Sequence, residues 1–560
     1  MRKFVIYFLS AACLMFAIQD MLAQDDLSVI LEDELQREWK VLSQLEDAPY
    51  YMSYRVDEEY SNRISANLGN IETAGSNHER ILSTSVRVGT PELDNFHEIR
   101  GGYSRIYSSG QNIPLSNDKT AICQVIWNET DKAYKEGIKR FAKVKANIAV
   151  KVESEDKAPD FVAGTKDIYY EEPIPENQRF IDEAAWKEKL KEYSKIFLSS
   201  PNIHNGRASI SHYVIRKYFV DSEGDNIAHN FIYSRIMLSA EIKAEDGMVL
   251  PLYKSFLAYE VGDLPNDETI RKAVHDLVSK LEELRVAPVV EPYSGPAIMS
   301  GAAAGVFFHE IFGHRVEGQR QKSESDGQTF KKKINEVVLP EAMSVVFDPT
   351  LRKIHEQDLY GYYIYDDQGV KSEKVTVVDN GILKDFLMSR TPINNFNKSN
   401  GHGRAYKGRS PVARQSNLIV ETTTRYSEAD LRKMLIEEAK NQDKEFAYLF
   451  KNVTGGFTTT GRYMPNAFNV NPTEVYKIYV DGKADELVRG VDLVGTPLTM
   501  FSEVEAGGGK SEIFTGNCGA ESGWVPVTAI SPSLFVKQIE LQKKSKSQEK
   551  PVILKRPDLQ

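Results

Sequence analysis

Cysteine is scarce, with three residues in 560, at positions 13, 123 and 518. A fold stapled by several disulfides is therefore excluded. Beyond the N-terminal two dozen residues no stretch is long and apolar enough to cross a bilayer as a helix. No basic stripe runs through the chain, whose net charge is −10, so a nucleic-acid surface is not expected. Tandem repeats are absent. Gly507-Gly508-Gly509 before Lys510 lacks the spacing of a phosphate-binding loop and reads as a flexible loop near Cys518. What remains is 41% hydrophobic and 27% charged, the composition of a soluble globular protein, and too long for one ordinary core.

The N-terminus reads as an export signal over residues 1–23. Arg2 and Lys3 precede an apolar run from Phe4 to Phe16, and Ala23 before Gln24 offers a small-residue cleavage site. A lipoprotein signal acylated at Cys13 is the rival reading, and the apolar Leu14-Met15-Phe16 behind Cys13 weighs against it. The expectation is an exported protein, periplasmic or secreted, with no transmembrane segment after cleavage.

The spacing of Leu31, Leu35, Trp39, Leu42 and Leu45 predicts an opening amphipathic helix. Alternation from Tyr50 to Val88 predicts strands of an antiparallel sheet. Helical patterns return near 128–145, 183–198 and 267–285, with strands at 209–219 and 248–261. The breakers of Val290 to Pro296 mark a domain boundary. The fold class expected is α+β, in two domains, each with largely antiparallel sheet and flanking helices: 24–289, then 290–540, with a Lys-rich tail at 541–560. The second domain opens with a small-residue helix from Gly301 to His314, followed by a mobile loop over 319–333, short alternating segments, and a helix near 427–441.

That small-residue helix ends in His309-Glu310-Ile311-Phe312-Gly313-His314. A zinc peptidase needs two fixed nitrogen ligands, a third protein ligand, an open position and a nearby carboxylate. The usual helical solution puts the histidines four apart, on one face. Here they are five apart, which in a regular helix turns them about 140° from each other. The two can share an ion only if the helix widens to a π-turn or ends at Gly313. Glu310 would then be general base. Two ordinary core or capping histidines with an incidental Glu are the plain alternative. Cys518, between Gly516 and Gly519, is the candidate third ligand, and a Cys123–Cys518 disulfide is its rival. His402 and Arg404, in a glycine-bearing loop, are candidates to line a cleft and bind a substrate carbonyl or carboxylate; a solvated loop is the competing reading.

At these residues the chain resembles the TldD/PmbA family of metallopeptidases, whose zinc helix carries the pattern H-E-x-x-x-H. The resemblance runs from Gly295 through His309 to Gly318. It continues in Asp366-Asp367-Gln368-Gly369, Asp379-Asn380-Gly381, Gly455-Gly456, Thr458-Thr459-Thr460-Gly461, Gly490 to Gly495 and the turn Gly516-Asn517-Cys518-Gly519. It implies zinc on His309, His314 and Cys518, with Glu310 catalytic, and hydrolysis of short or unfolded peptides. It also implies a two-domain α+β subunit that forms a homodimer, or a heterodimer with a family paralogue, around a cleft. Some members lack the motif and act as inactive partners, so an exported non-catalytic subunit keeping a structural zinc is the alternative. The export signal departs from the well-known members, which work in the cytoplasm.

Overall fold

The computed structural model describes residues 25–99, 110–149, 156–463, 467–544 and 557. The expected signal segment and most of the Lys-rich tail lie outside them.

Helix α1 (Asp26–Leu42) is capped by the Asp25 side chain, which accepts from the Ser28 N–H, and buries Leu27, Leu31 and Leu35. Its amphipathic spacing needs a sheet to lie on, and the sheet follows at once. Strands β1 (Pro49–Asn67) and β2 (Asn70–Thr90) form one long hairpin. β1 also pairs antiparallel with β3 (Ile203–Asp221), and β3 with β4 (Asn226–Lys243), which carries β5 (Val249–Ala258) on its far edge. Alternation along these strands sends every second side chain to one face. The helices α2 (Lys119–Ala149), α3 (Glu183–Lys195) and α4 (Asp267–Val286) cover that sheet and bury Ile126, Leu190, Val274 and Leu281.

The second sheet has eleven strands. Its spine is β14 (Gly523–Lys543), the longest. β6 (Tyr293–Met299), β10 (Phe446–Thr458), β11 (Phe468–Tyr479) and β12 (Val491–Gly495) pair in succession and close back onto β14. Such closure leaves no free edge around the ring. β13 (Val504–Ala520) pairs along β14 as a hairpin, and β9 (Asn417–Thr422) lies parallel to β14 on its other side. The last strand runs through Lys543, into the segment expected as a tail, because Val491 to Val494 hold it by backbone pairing. The α+β class with antiparallel sheets and flanking helices is what the chain adopts.

Two local expectations change. The stretch expected as a mobile loop contains a short helix, Gln319–Lys322, with Arg320 and Gln321 buried, because both side chains find partners inside the protein. The Gly507-Gly508-Gly509 run, expected as a flexible loop, is part of β13 where its register against β14 shifts.

Helix α5 (Gly301–Ile311) packs on β14, β10 and β13, with Phe307, Phe308 and Ile311 fully buried. Its small residues set that distance. A methyl on Gly301 would stand 2.3 Å from the Ser531 carbonyl oxygen and one on Gly305 3.1 Å from Ala529 Cβ. The two halves of the chain are joined by part-buried ion pairs. Lys217 donates to Asp367 at 2.6 Å, Arg55 lies 3.8 Å from the same carboxylate, and Arg390 pairs with Glu223.

Gly301→Ala should destabilise the fold by about 1–3 kcal/mol through that clash, read as a lower unfolding temperature; an unchanged temperature would refute the close approach. Burial by itself would raise Asp367, but Lys217 and Arg55 hold it down to about 2. A folded value below the unfolded one stabilises at pH above about 4 and is lost as pH falls through about 2. Asp367→Asn should therefore flatten the loss of stability across that acid window, measured by denaturation at stepped pH.

Candidate metal centre

α5 stops two residues before Gly313. Its last helical residue is Ile311, Phe312 leaves the helix at φ −120°, and a 3₁₀ turn runs from Gly313 to Val316. This break takes up the surplus rotation between His309 and His314, whose ring centres come to 5.0 Å. Gly313 has no positive φ; what it needs is space. A Cβ there would stand 1.9 Å from Gln415 Oε1, and Gln415 Nε2 donates to the His309 carbonyl at 3.3 Å. Arg315 donates to the carbonyls of Glu310 and Ile311. The last turn of α5, buried and short of its own partners, is thus capped by two side chains.

Cys518 comes to the same place on β13. It was expected in a turn, but it lies in the strand, paired with Val525, because the hairpin reverses only after Ala520. Its Sγ is 3.3 Å from His314 Nε2, and it is a free thiol, as is Cys123. The ligand atoms of His309, His314 and Cys518 all lie within 4.8 Å of one another. His314 Nδ1 faces the Glu317 carboxylate at 3.2–3.3 Å, which leaves Nε2 for an ion. Arg414, fully buried, donates to the Cys518 carbonyl at 2.6 Å and to its sulfur at 3.2 Å, and its Nε lies 3.6 Å from Glu317.

The electrostatics agree with the geometry. Burial would raise the Cys518 thiol, but His314, His309 and Arg414 carry it well below its ordinary value, which favours the thiolate. Burial would lower His314, but the thiolate and Glu317 raise it to about 10. Two imidazoles and a thiolate at these separations fit a tetrahedral site for a borderline-soft divalent metal, with one position left open.

Glu310 is next to this cluster and only 5% exposed. Burial raises its carboxyl above the ordinary range, against the pull of His309 and His314. Gly456 makes its room, since a Cβ there would lie 2.8 Å from Glu310 Cγ. All four residues line a cleft of about 880 Å³. Its walls are Thr454 to Thr458 of β10 and Phe514 to Ala520 of β13, and its roof is the face of β4 and β5 that carries Arg235, Ser239 and Tyr253.

His402 and Arg404 stand elsewhere. His402 is fully buried, bonds to Ser416 Oγ and Asn400, and is pushed down to about 3 by burial. Arg404 donates to the Gln415 and Pro526 carbonyls over the Tyr363 ring. Neither is among the cleft's lining residues; their polar atoms are spent bracing the loop behind Cys518. Sequence reading missed Glu317, Arg414 and Gln415. Glu317 had a local signal, three residues after His314. Arg414 and Gln415 had none, because the groups of the centre that their side chains reach are about a hundred residues away.

Residues 292–543 match the family profile described as PmbA/TldA metallopeptidase C-terminal domain. A metalloprotease of Archaeoglobus fulgidus is 30% identical over 268 residues, 48% of this chain and 57% of that protein. A protein of Saccharolobus solfataricus named zinc metalloprotease TldD homolog is 22% identical over 373 residues, 63% of this chain and 76% of that one. The chain thus spans little more than half the length of the Archaeoglobus relative. The crystal structure of TldE from Thermococcus kodakarensis superposes with a TM-score of 0.61 at 14% identity, covering 92% of this chain and all of that one, and this likeness concerns the fold alone. The matching profile lies on the part of the chain that carries the centre, so residues 292–543 are similar to the C-terminal domain of the TldD/PmbA family.

Proposed function

We propose that this protein is a zinc-dependent peptidase acting on short or unfolded peptides. One observation carries the reading: two imidazoles and a thiolate, from segments two hundred residues apart, converge beside a buried carboxylate on the wall of a cleft. His309, His314 and Cys518 would hold the ion, and zinc when bound supplies Lewis-acid activation of water and of the scissile carbonyl.

The chain's own residues do the rest. Glu317 holds His314 by Nδ1 and so turns Nε2 toward the ion. Arg414 keeps the Cys518 sulfur in its thiolate form and ties that strand to Glu317. Glu310 is the general base. Its raised basicity suits it to take a proton from the attacking water on a carboxylate oxygen and to return it to the leaving amine. A subunit keeping only a structural metal has no use for a buried carboxylate in that position, which speaks against the non-catalytic reading. Metalloprotease names among the relatives support hydrolysis. The reading includes export by residues 1–23 and assembly with a second subunit of the same fold, the latter in keeping with the likeness to TldE. Light scattering on the purified chain checks the assembly.

Purified protein should contain about one zinc per chain, and His309→Ala should lose it; a metal content unchanged by that substitution would remove the ligand set. Glu310→Gln should keep the metal and cut peptide hydrolysis roughly 10²–10⁴-fold, read by mass spectrometry on a mixed peptide library. Full activity in Glu310→Gln would sink the base assignment. Glu317→Gln should weaken metal affinity about 10–100-fold, read by competition with a chelating dye.

A further inference from the structure

The roof of the cleft is read off strand register. Arg235, Met237, Ser239 and Glu241 alternate along β4 and share its cleft face, opposite Leu257, Ser255, Tyr253 and Pro251 of β5. This row runs about 20 Å from a cationic to an acidic end, the span of an extended hexapeptide.

Arg235 differs from the other arginine of the cleft. Arg320 is neutralised by Glu317, Asp326 and Glu521. Arg235 has no carboxylate partner among the described residues, and its Nε and Nη2 are shut from solvent with no hydrogen-bond acceptor. The guanidinium is held by its face instead, 4.5 Å over the Tyr360 ring. Tyr360 is itself buried, close enough to Asn517, the residue before Cys518, for that side chain to act on its hydroxyl. A half-buried cation, stacked in place and unpaired, in the cleft that holds the metal centre, is costly unless something anionic joins it. Stacking leaves the fork of donors uncommitted, and a planar guanidinium suits a carboxylate best.

We infer that Arg235 is the specificity residue of the cleft and binds a carboxylate of the peptide, either its C-terminus or an acidic side chain. The inference rests on the peptidase reading for the ligand's being a peptide, and its test does not require turnover. One acetylated neutral hexapeptide is prepared in three forms: free C-terminal carboxylate, C-terminal amide, and amide with one internal glutamate. Binding to the full chain is measured by calorimetry in the Glu310→Gln background, with and without Arg235→Met. At least one of the two carboxylate forms should bind roughly 10–100-fold tighter than the plain amide, and Arg235→Met should erase that preference while leaving the amide's affinity unchanged. Which form is preferred identifies the source: the free acid assigns the terminus, the internal glutamate a side chain. Equal affinity for all three, or a preference that survives Arg235→Met, would overturn the inference. Arg235→Gln, judged by the same criteria, serves if the Met variant does not fold. Absence of hydrolysis by the wild type, with the binding preference intact, would count against the peptidase reading and leave this inference standing.

Discussion

Helix α5 ends inside the protein, where its last carbonyls have no water to turn to. Arg315 and Gln415 meet them, at Glu310, Ile311 and His309. A buried helix end needs partners of this kind, since an orphaned backbone acceptor there costs as much as a lost hydrogen bond. These bonds hold the residues on either side of the break, so the positions of His309, Glu310 and His314 all follow from them. Gly313 belongs to the same constraint, because Gln415 occupies the space any side chain would need.

Around that helix end the charges form a closed set. Glu317 lies between His314, Arg320 and Arg414, and Arg414 reaches on to Cys518. Burying so many ionised groups is unfavourable unless each has an opposite charge and a directed bond. The arrangement meets that condition and fixes one imidazole orientation and one thiolate position before any ligand arrives. The roof is built on the opposite plan, with a cation on β4 that is stacked and left unpaired.

Much of this was legible in the chain. The export-like N-terminus aside, the helices near 183–198, 267–285 and 427–441 and the strands at 209–219 and 248–261 fall where periodicity predicts them, because each buries one face against a sheet. The break between His309 and His314 could be demanded from rotation alone. The loop expectations fared worse. Gln319–Lys322, Gly507–Gly509 and the His402–Arg404 segment look mobile by composition, yet are packed by partners distant in sequence.

By itself the amino-acid sequence determined the α+β class, the need for a departure from α-helix between His309 and His314 if both are to share an ion, and the candidate ligands His309, His314 and Cys518, because periodicity and residue chemistry are local properties. Only the tertiary structure decided which groups hold them. Bringing Arg414 and Gln415 against α5, or β4 over the cleft, depends on the pairing of β9 and β13 with β14 and on the docking of the two sheets. The β9–β14 pairing and the contacts between the two halves join residues a hundred or more positions apart, and no local pattern encodes them.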